Sequence, residues 1–270
     1  MVALFKTHYS IGKSILTVND PSTVKEGGSD SVIQIAIDNK LDKLVLVEDN
    51  FHGFLESKKR CEEHNIQLVF GLRLNICNSH SDDKKKNHKV IIFAKNDHGC
   101  KKLYKIHSSA FCDYDERLTF KDLKEHWTNN LLMAIPFYDS FLHCNNFSFS
   151  EFIPDFSFSK PLFFLENNKL PFDHLLRAAI EQYTKAHGYK TEEAKTIYYK
   201  NRKDFAAYQT FRIICNRSYN GRRSNLTRPN LDHCGSQEFC MESFLEQWKN
   251  LSLVIAPCKE SELEQKSSPS

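Results

Sequence analysis

Apolar and polar positions follow two rhythms along most of the chain. Short continuous apolar runs, such as Lys43–Val47 (KLVLV) and Lys89–Ala94 (KVIIFA), have the pattern of buried strands. Between them, apolar residues recur every three or four positions. Leu103, Ile106 and Ala110 do so within Gly99–Phe111, which is the spacing of one helix face. The pattern predicts strands at Val2–Lys6, Lys43–Val47, Gln67–Leu74, Lys89–Ala94, Leu131–Pro136, Leu162–Leu165 and Thr196–Tyr199. It predicts helices at Ser31–Asn39, behind a Gly27-Gly28-Ser29-Asp30 capping loop, and at Phe54–His64, Gly99–Phe111, Asp173–His187 and Lys203–Cys215. Alternation of this kind implies a parallel sheet, and repeated this often it can close into an α/β barrel. Asp82–Asn87 has the look of a charged hairpin loop, Asn145–Ser159 is irregular, and Lys259–Ser270 is a polar tail.

Composition narrows the setting. Hydrophobic residues make up 40% of the 270, with 21 Phe, enough for a sizeable core. No apolar stretch approaches a membrane span and the first ten residues lack a signal core, so a cytoplasmic protein is expected. The nine cysteines form no CxxC pair, which favours free thiols over a zinc knuckle or a disulfide framework. Net charge is +3, a weak pointer to nucleic acid. The local basic runs, Lys84-Lys85-Lys86 and Arg202–Arg228, are either solvated faces or contacts for a backbone phosphate.

Candidate chemistry sits where strands end. Lys43–Gly53 is a buried strand that finishes in Glu48 and Asp49 and then turns into a helix. In a parallel α/β barrel that end carries the active groups, so both carboxylates are candidate metal ligands; the alternative is a polar loop that caps the next helix. His8 closely follows the first strand and is a further candidate. His88 immediately precedes a strand, which places it at the end where that strand begins. Gly12-Lys13-Ser14 is no phosphate loop, because the required earlier glycine is Thr7. The adjacent pairs His143-Cys144 and His233-Cys234 make poor dyads.

Several segments together resemble the PHP domain at the front of bacterial C-family replicative DNA polymerases. Lys43–Gly53 is similar to that family's strand ending in Thr-Asp-His-Gly. Asn65–Gly71 resembles its Gly-Ile-Lys-Pro-Ile-Ile-Gly, and His88–Ser109 (HKVIIFAKNDHGCKKLYKIHSS) is the most specific piece. Ile197–Arg212 resembles the last barrel strand and following helix, and Glu238–Phe244 the lead towards the polymerase core. The resemblance implies a distorted (β/α)7 PHP-type barrel over residues 1–212, an extension over 213–250 and a disordered tail over 251–270.

Members of that family that are active hold a metal cluster at the strand ends and hydrolyse phosphoesters. Matched residue by residue, this chain has Lys6-Thr7-His8 for the family's His-x-His, Lys13 for an Asp, and for an Asp-His pair Glu48-Asp49, or Val47-Glu48 where the strand aligns without a gap. It has Arg73 for a Glu, Phe111 for a His and Tyr138 near a Cys. Asn167-Asn168 replaces Asn-His, and Thr196-Ile197-Tyr198 replaces Asp-x-His. His8, Glu48, Asp49 and His88 are then vestigial ligands, and Lys13 and Arg73 are cations in the old metal pocket, paired with Glu48 or Asp49 as struts. The resemblance implies a non-catalytic module or split front subunit without a cofactor. It would dock a polymerase core, a proofreading exonuclease or both, with Arg217, Arg222, Arg223 and Arg228 facing the partner or the DNA backbone. The alternative is a residual phosphoesterase or 3′–5′ exonuclease using Zn or Mn; an unrelated barrel enzyme of sugar or phosphate metabolism is a third reading.

Overall fold

The structure is a computed structural model that describes residues 1–215 and 235–250. Eight strands form one sheet: β1 Val2–Phe5, β2 Lys43–Glu48, β3 Gln67–Ile76, β4 His88–Ala94, β5 Arg117–Leu118, β6 Leu131–Ile135, β7 Leu162–Leu165 and β8 Lys190–Ile197. Their order is β2-β1-β8-β7-β6-β4-β3-β5, and pairing of β2 with β3 closes seven of them into a barrel, with β5 on the outer edge of β3. Helices α1 Val32–Asp38, α2 Phe54–Glu63, α3 Asp97–Ser108, α4 Phe120–His126, α5 Phe141–Phe147, α6 Asp173–His187 and α7 Phe205–Cys215 surround it.

Most element positions agree with the hydrophobic pattern. The expectation of a wholly parallel sheet is corrected at β4, which runs antiparallel to both β3 and β6. The charged loop before it connects β3 to β4 as a hairpin does, and an antiparallel neighbour needs no crossover helix. The last strand begins at Lys190 rather than Thr196, because its first half, KTEE, carries no apolar run. Two short helices escaped the pattern: α4, held by a reciprocal capping box between Thr119 and Asp122, and α5, capped by Ser140.

Strand alternation sorts the side chains into two layers. Leu4, Val47, Ile91, Phe93, Ala134, Phe164 and Ala194 fill the barrel lumen. Gly71 belongs to the same inward set; a Cβ there would stand 2.5 Å from the Phe93 ring, so the missing side chain makes room for Phe93. Outward-facing residues such as Leu44, Leu46, Leu72 and Leu74 pack under the helices. The segment 238–250 joins this core. Tyr198 N donates to Phe239 O at 2.9 Å, Tyr199 bridges to Cys240, and Met241 and Phe244 bury against Phe5, Leu16 and Ile197.

Candidate functional site at the barrel mouth

The inward alternation continues past the apolar layer to the rim where the parallel strands end. Val2, Leu4 and Lys6 share one face of β1 and its continuation. Val45, Val47 and Asp49 share one face of β2 and its continuation; Gly71 and Arg73 follow on β3, Lys89 on the reversed β4, Glu166 after β7, and Thr196 and Tyr198 on β8 and just past its end. The rim is therefore built from charged and polar groups standing on a dry apolar floor.

Two ion pairs dominate it. Lys6 Nζ lies 2.9 Å from Asp49 Oδ1, with the Lys6 side chain only 3% exposed. Arg73 Nη2 lies 2.8 Å from Asp139 Oδ2. Burial opposes the charge on Asp49, but the Lys6 ammonium and Arg73 guanidinium outweigh it and hold that carboxyl well below the usual range. Burial lowers the Lys6 pKa, an effect that Asp49 and Glu48 partly offset. Burial and then the adjacent Arg73 push Lys89 down to about 8.

A second polar layer completes the rim. Glu166 accepts from Thr196 Oγ1 at 2.6 Å and from Asn168 Nδ2 at 2.9 Å. Asn168 Nδ2 also donates to the Tyr138 hydroxyl at 3.1 Å, and that hydroxyl donates to Asp173 at 2.7 Å. Burial raises the Glu166 pKa, and burial followed by the carboxylates of Glu166 and Asp173 raises that of Tyr138. The cavity left between Lys6, Arg73, Tyr138, Glu166, Thr196 and Tyr198 is about 30 Å³, enough for two waters at most.

The candidate residues are thus separated. Asp49 and Arg73 meet at the mouth. Glu48, one residue earlier, points out of the lumen: it accepts from Thr7 N at 2.8 Å, Thr7 Oγ1 at 2.6 Å and the Ser10 hydroxyl, fixing the loop after β1. Burial raises its pKa. His8 is exposed, with Nδ1 3.3 Å from Leu16 O and its ring against Tyr9. His88 does lie at the end of the barrel where the parallel strands finish, contrary to its expected place, because β4 is reversed and pairs His88 with Ile76. Its side chain nevertheless faces away from the lumen, among Phe120, Phe141 and Phe152. Lys13 is exposed; the expected strut to Asp49 is made by Lys6, and the direct partner of Arg73 is Asp139. Arg217, Arg222, Arg223 and Arg228, and the tail 251–270, lie outside the described residues.

Lys6 entered the sequence reading only as the counterpart of a His in the family's first motif, and Lys89 and Asp139 were not singled out. The signal for the first two was present, since Lys6 keeps step with Val2 and Leu4, and Lys89 with Ile91 and Phe93. Asp139 carries no such mark, because it sits in a turn after β6 at φ 59°.

The donor set does not fit a Zn or Mn cluster. Among the described residues, no group of three His, Cys, Asp or Glu is placed to hold a metal ion. At the mouth, Asp49 and Asp139 each face a fixed cation and Glu166 is taken up by Thr196 and Asn168, while Lys6, Arg73 and Lys89 would repel a bound cation.

A closed seven-stranded barrel with one reversed strand and its polar rim at the strand ends defines a PHP-type α/β barrel, and residues 26–146 match the family model described as the PHP domain. At the level of individual proteins, the chain is similar to DNA polymerase III subunit alpha of Staphylococcus aureus. It is 25% identical over 136 residues to that subunit from strain MRSA252, covering 49% of this chain and 11% of the relative. The subunits of strain COL, at 25%, and strain Mu50, at 24%, match over the same length. The matched stretch spans about a tenth of the length of these relatives. Among the described residues no helix is long and apolar enough to cross a membrane.

Proposed function

We propose that this chain is a non-catalytic PHP-type module of the DNA replication machinery, a separate subunit or front segment that packs on a C-family polymerase core and helps hold a proofreading exonuclease. One observation carries the reading: Lys6 and Arg73, each tied to a carboxylate, project into the mouth where a metal-dependent phosphoesterase of this fold needs ligands. Metal-dependent hydrolysis rests on several ligands converging on one ion so that bound water is acidified and the phosphoryl oxygens are braced. Here His8, Glu48 and His88 point to three different surroundings. The fixed ion pairs instead act as struts that keep the barrel rim in shape for docking.

The experiment joins two measurements. The purified chain is analysed for Zn and Mn and assayed on labelled single-stranded DNA with added Mn. It is then mixed with a C-family polymerase core lacking its own PHP domain. No stoichiometric metal, no hydrolysis and co-elution with the core are expected. Tight metal together with hydrolysis that His8→Ala abolishes would overturn the reading in favour of a residual exonuclease. Failure to co-elute would remove the docking role.

A further inference from the structure

At the opposite end of the barrel from the mouth lies a cleft of about 580 Å³, within the range of small-ligand sites. It opens between the segment 156–160 that leads into β7, the start of β6, the end of the reversed β4 and the turn between α6 and β8. Its walls are aromatic: Trp127, Phe156, Phe158 and Tyr189 line it, each half-buried. Trp127 meets Phe158 edge-on at 5.4 Å, and Phe156 meets Tyr189 edge-on at 5.7 Å, so these rings are braced rather than loosely exposed.

The charge at its rim has one sign. Lys95 and Lys160 are exposed lining residues, His187 lies beside them, and no Asp or Glu lines the cleft. Lys95 Nζ donates to Asn129 O at 2.9 Å, which leaves it further protons to donate. Lys160 has no ion-pair or hydrogen-bond partner among the described residues. Lys124 lies just beyond the lining, 3.3 Å from Ser157 Oγ, and there faces Asp155, which accepts from Ser157 N at 2.9 Å.

Aromatic walls beside ammonium groups that have no ion-pair partner among the described residues match a ligand with a flat π face and an attached anion. We propose that this cleft binds a nucleobase carrying a phosphate, either as a free nucleotide or as one residue of a single strand. The base stacks on the aromatic wall, which is tolerant of sequence because every base has a π face, and the phosphate takes Lys160 and Lys95. The site shares no lining residue with the mouth, so it stands or falls separately from the docking role.

The chain has two tryptophans, Trp127 and Trp248, so Trp248→Phe leaves a single emitter in the cleft. In that background the full chain is titrated with thymidine 5′-monophosphate, a short oligothymidylate and inorganic phosphate. Both thymidine ligands quench Trp127 emission, binding weakens as salt is raised, and inorganic phosphate competes without quenching. Lys160→Glu, at an exposed position, lowers affinity by about tenfold or more, the loss expected for a hydrogen bond to a charged group. Tighter binding of the oligomer identifies a strand as the source, and equal binding a free nucleotide. Absence of quenching, or quenching indifferent to salt and to both Lys160→Glu and Lys95→Glu in variants that melt like the parent, overturns the proposal.

Discussion

The Lys6 ammonium and the Asp49 carboxylate meet at 2.9 Å inside the barrel mouth, reaching it from neighbouring strands β1 and β2. The pair stands directly above the apolar layer of Leu4 and Val47. A charge in such a place is tolerated only with its partner.

Removing one partner is therefore worse than removing both. Lys6→Met leaves Asp49 facing Arg73 alone and is expected to cost on the order of 2 kcal/mol, held to the low side because Asp49 keeps some solvent contact. Lys6→Met with Asp49→Leu is expected to recover most of that loss. Urea unfolding of the two single variants and the double variant checks this; a double variant weaker than the sum of the singles would refute the strut.

His88 makes an acid-sensitive core. Burial pushes its pKa down from the ordinary 6.5 to about 4, against a backbone hydrogen bond at Lys89. Between those values the unfolded chain binds a proton that the native one does not. The stability this residue leaves intact above pH 6.5 is lost as pH falls through about 4, by up to about 3 kcal/mol. His88→Phe, in its aromatic cage, is expected to flatten that limb, as urea midpoints at neutral pH and at about pH 4 would record.

Lys195 gives the opposite limb. It is fully buried behind β8, bonded to Asn167 O at 3.0 Å, and burial pushes its pKa down to about 8 against the pull of Glu166 and Glu238. From about pH 8 to 10.5 the unfolded chain again holds the extra proton, so the contribution of this residue to stability rises with pH, by at most about 3 kcal/mol. Lys195→Met lacks this rise. The quantity to follow is the difference between parent and variant, since burial raises Cys61 and Cys144 to about 11 and their ionisation acts the other way in both proteins.

Arg202 ties the helical stretch 241–250 to the barrel. Its guanidinium reaches Glu238 at 3.0 Å, Glu242 at 3.3 Å and Glu246 at 2.6 Å, while Glu238 also takes Lys169 at 3.1 Å. Arg202→Ala is expected to loosen this stretch by about 1–2 kcal/mol, speeding its amide exchange roughly tenfold while β1 to β8 stay protected. Uniform loss of protection would show that the stretch is integral to global stability and not separately clamped.

Local chemistry alone marked out the order of strands and helices. KLVLV, KVIIFA and the three-and-four spacing of Leu103, Ile106 and Ala110 are properties of neighbouring residues, and such periods bury only one way. The presence of Lys, Arg, Tyr and Asn near the strand ends was equally legible, because side-chain type is covalent. The tertiary structure decided the rest. It chose Asp49 over Glu48 for the lumen, since alternate residues of a strand face opposite ways and only the closed barrel says which way is in. It reversed β4, which carried His88 to the mouth end of the barrel yet turned it outward, and it brought Lys6 to Asp49 and Asp139 to Arg73. Those pairings join residues 43 and 66 positions apart, a separation that no local period encodes.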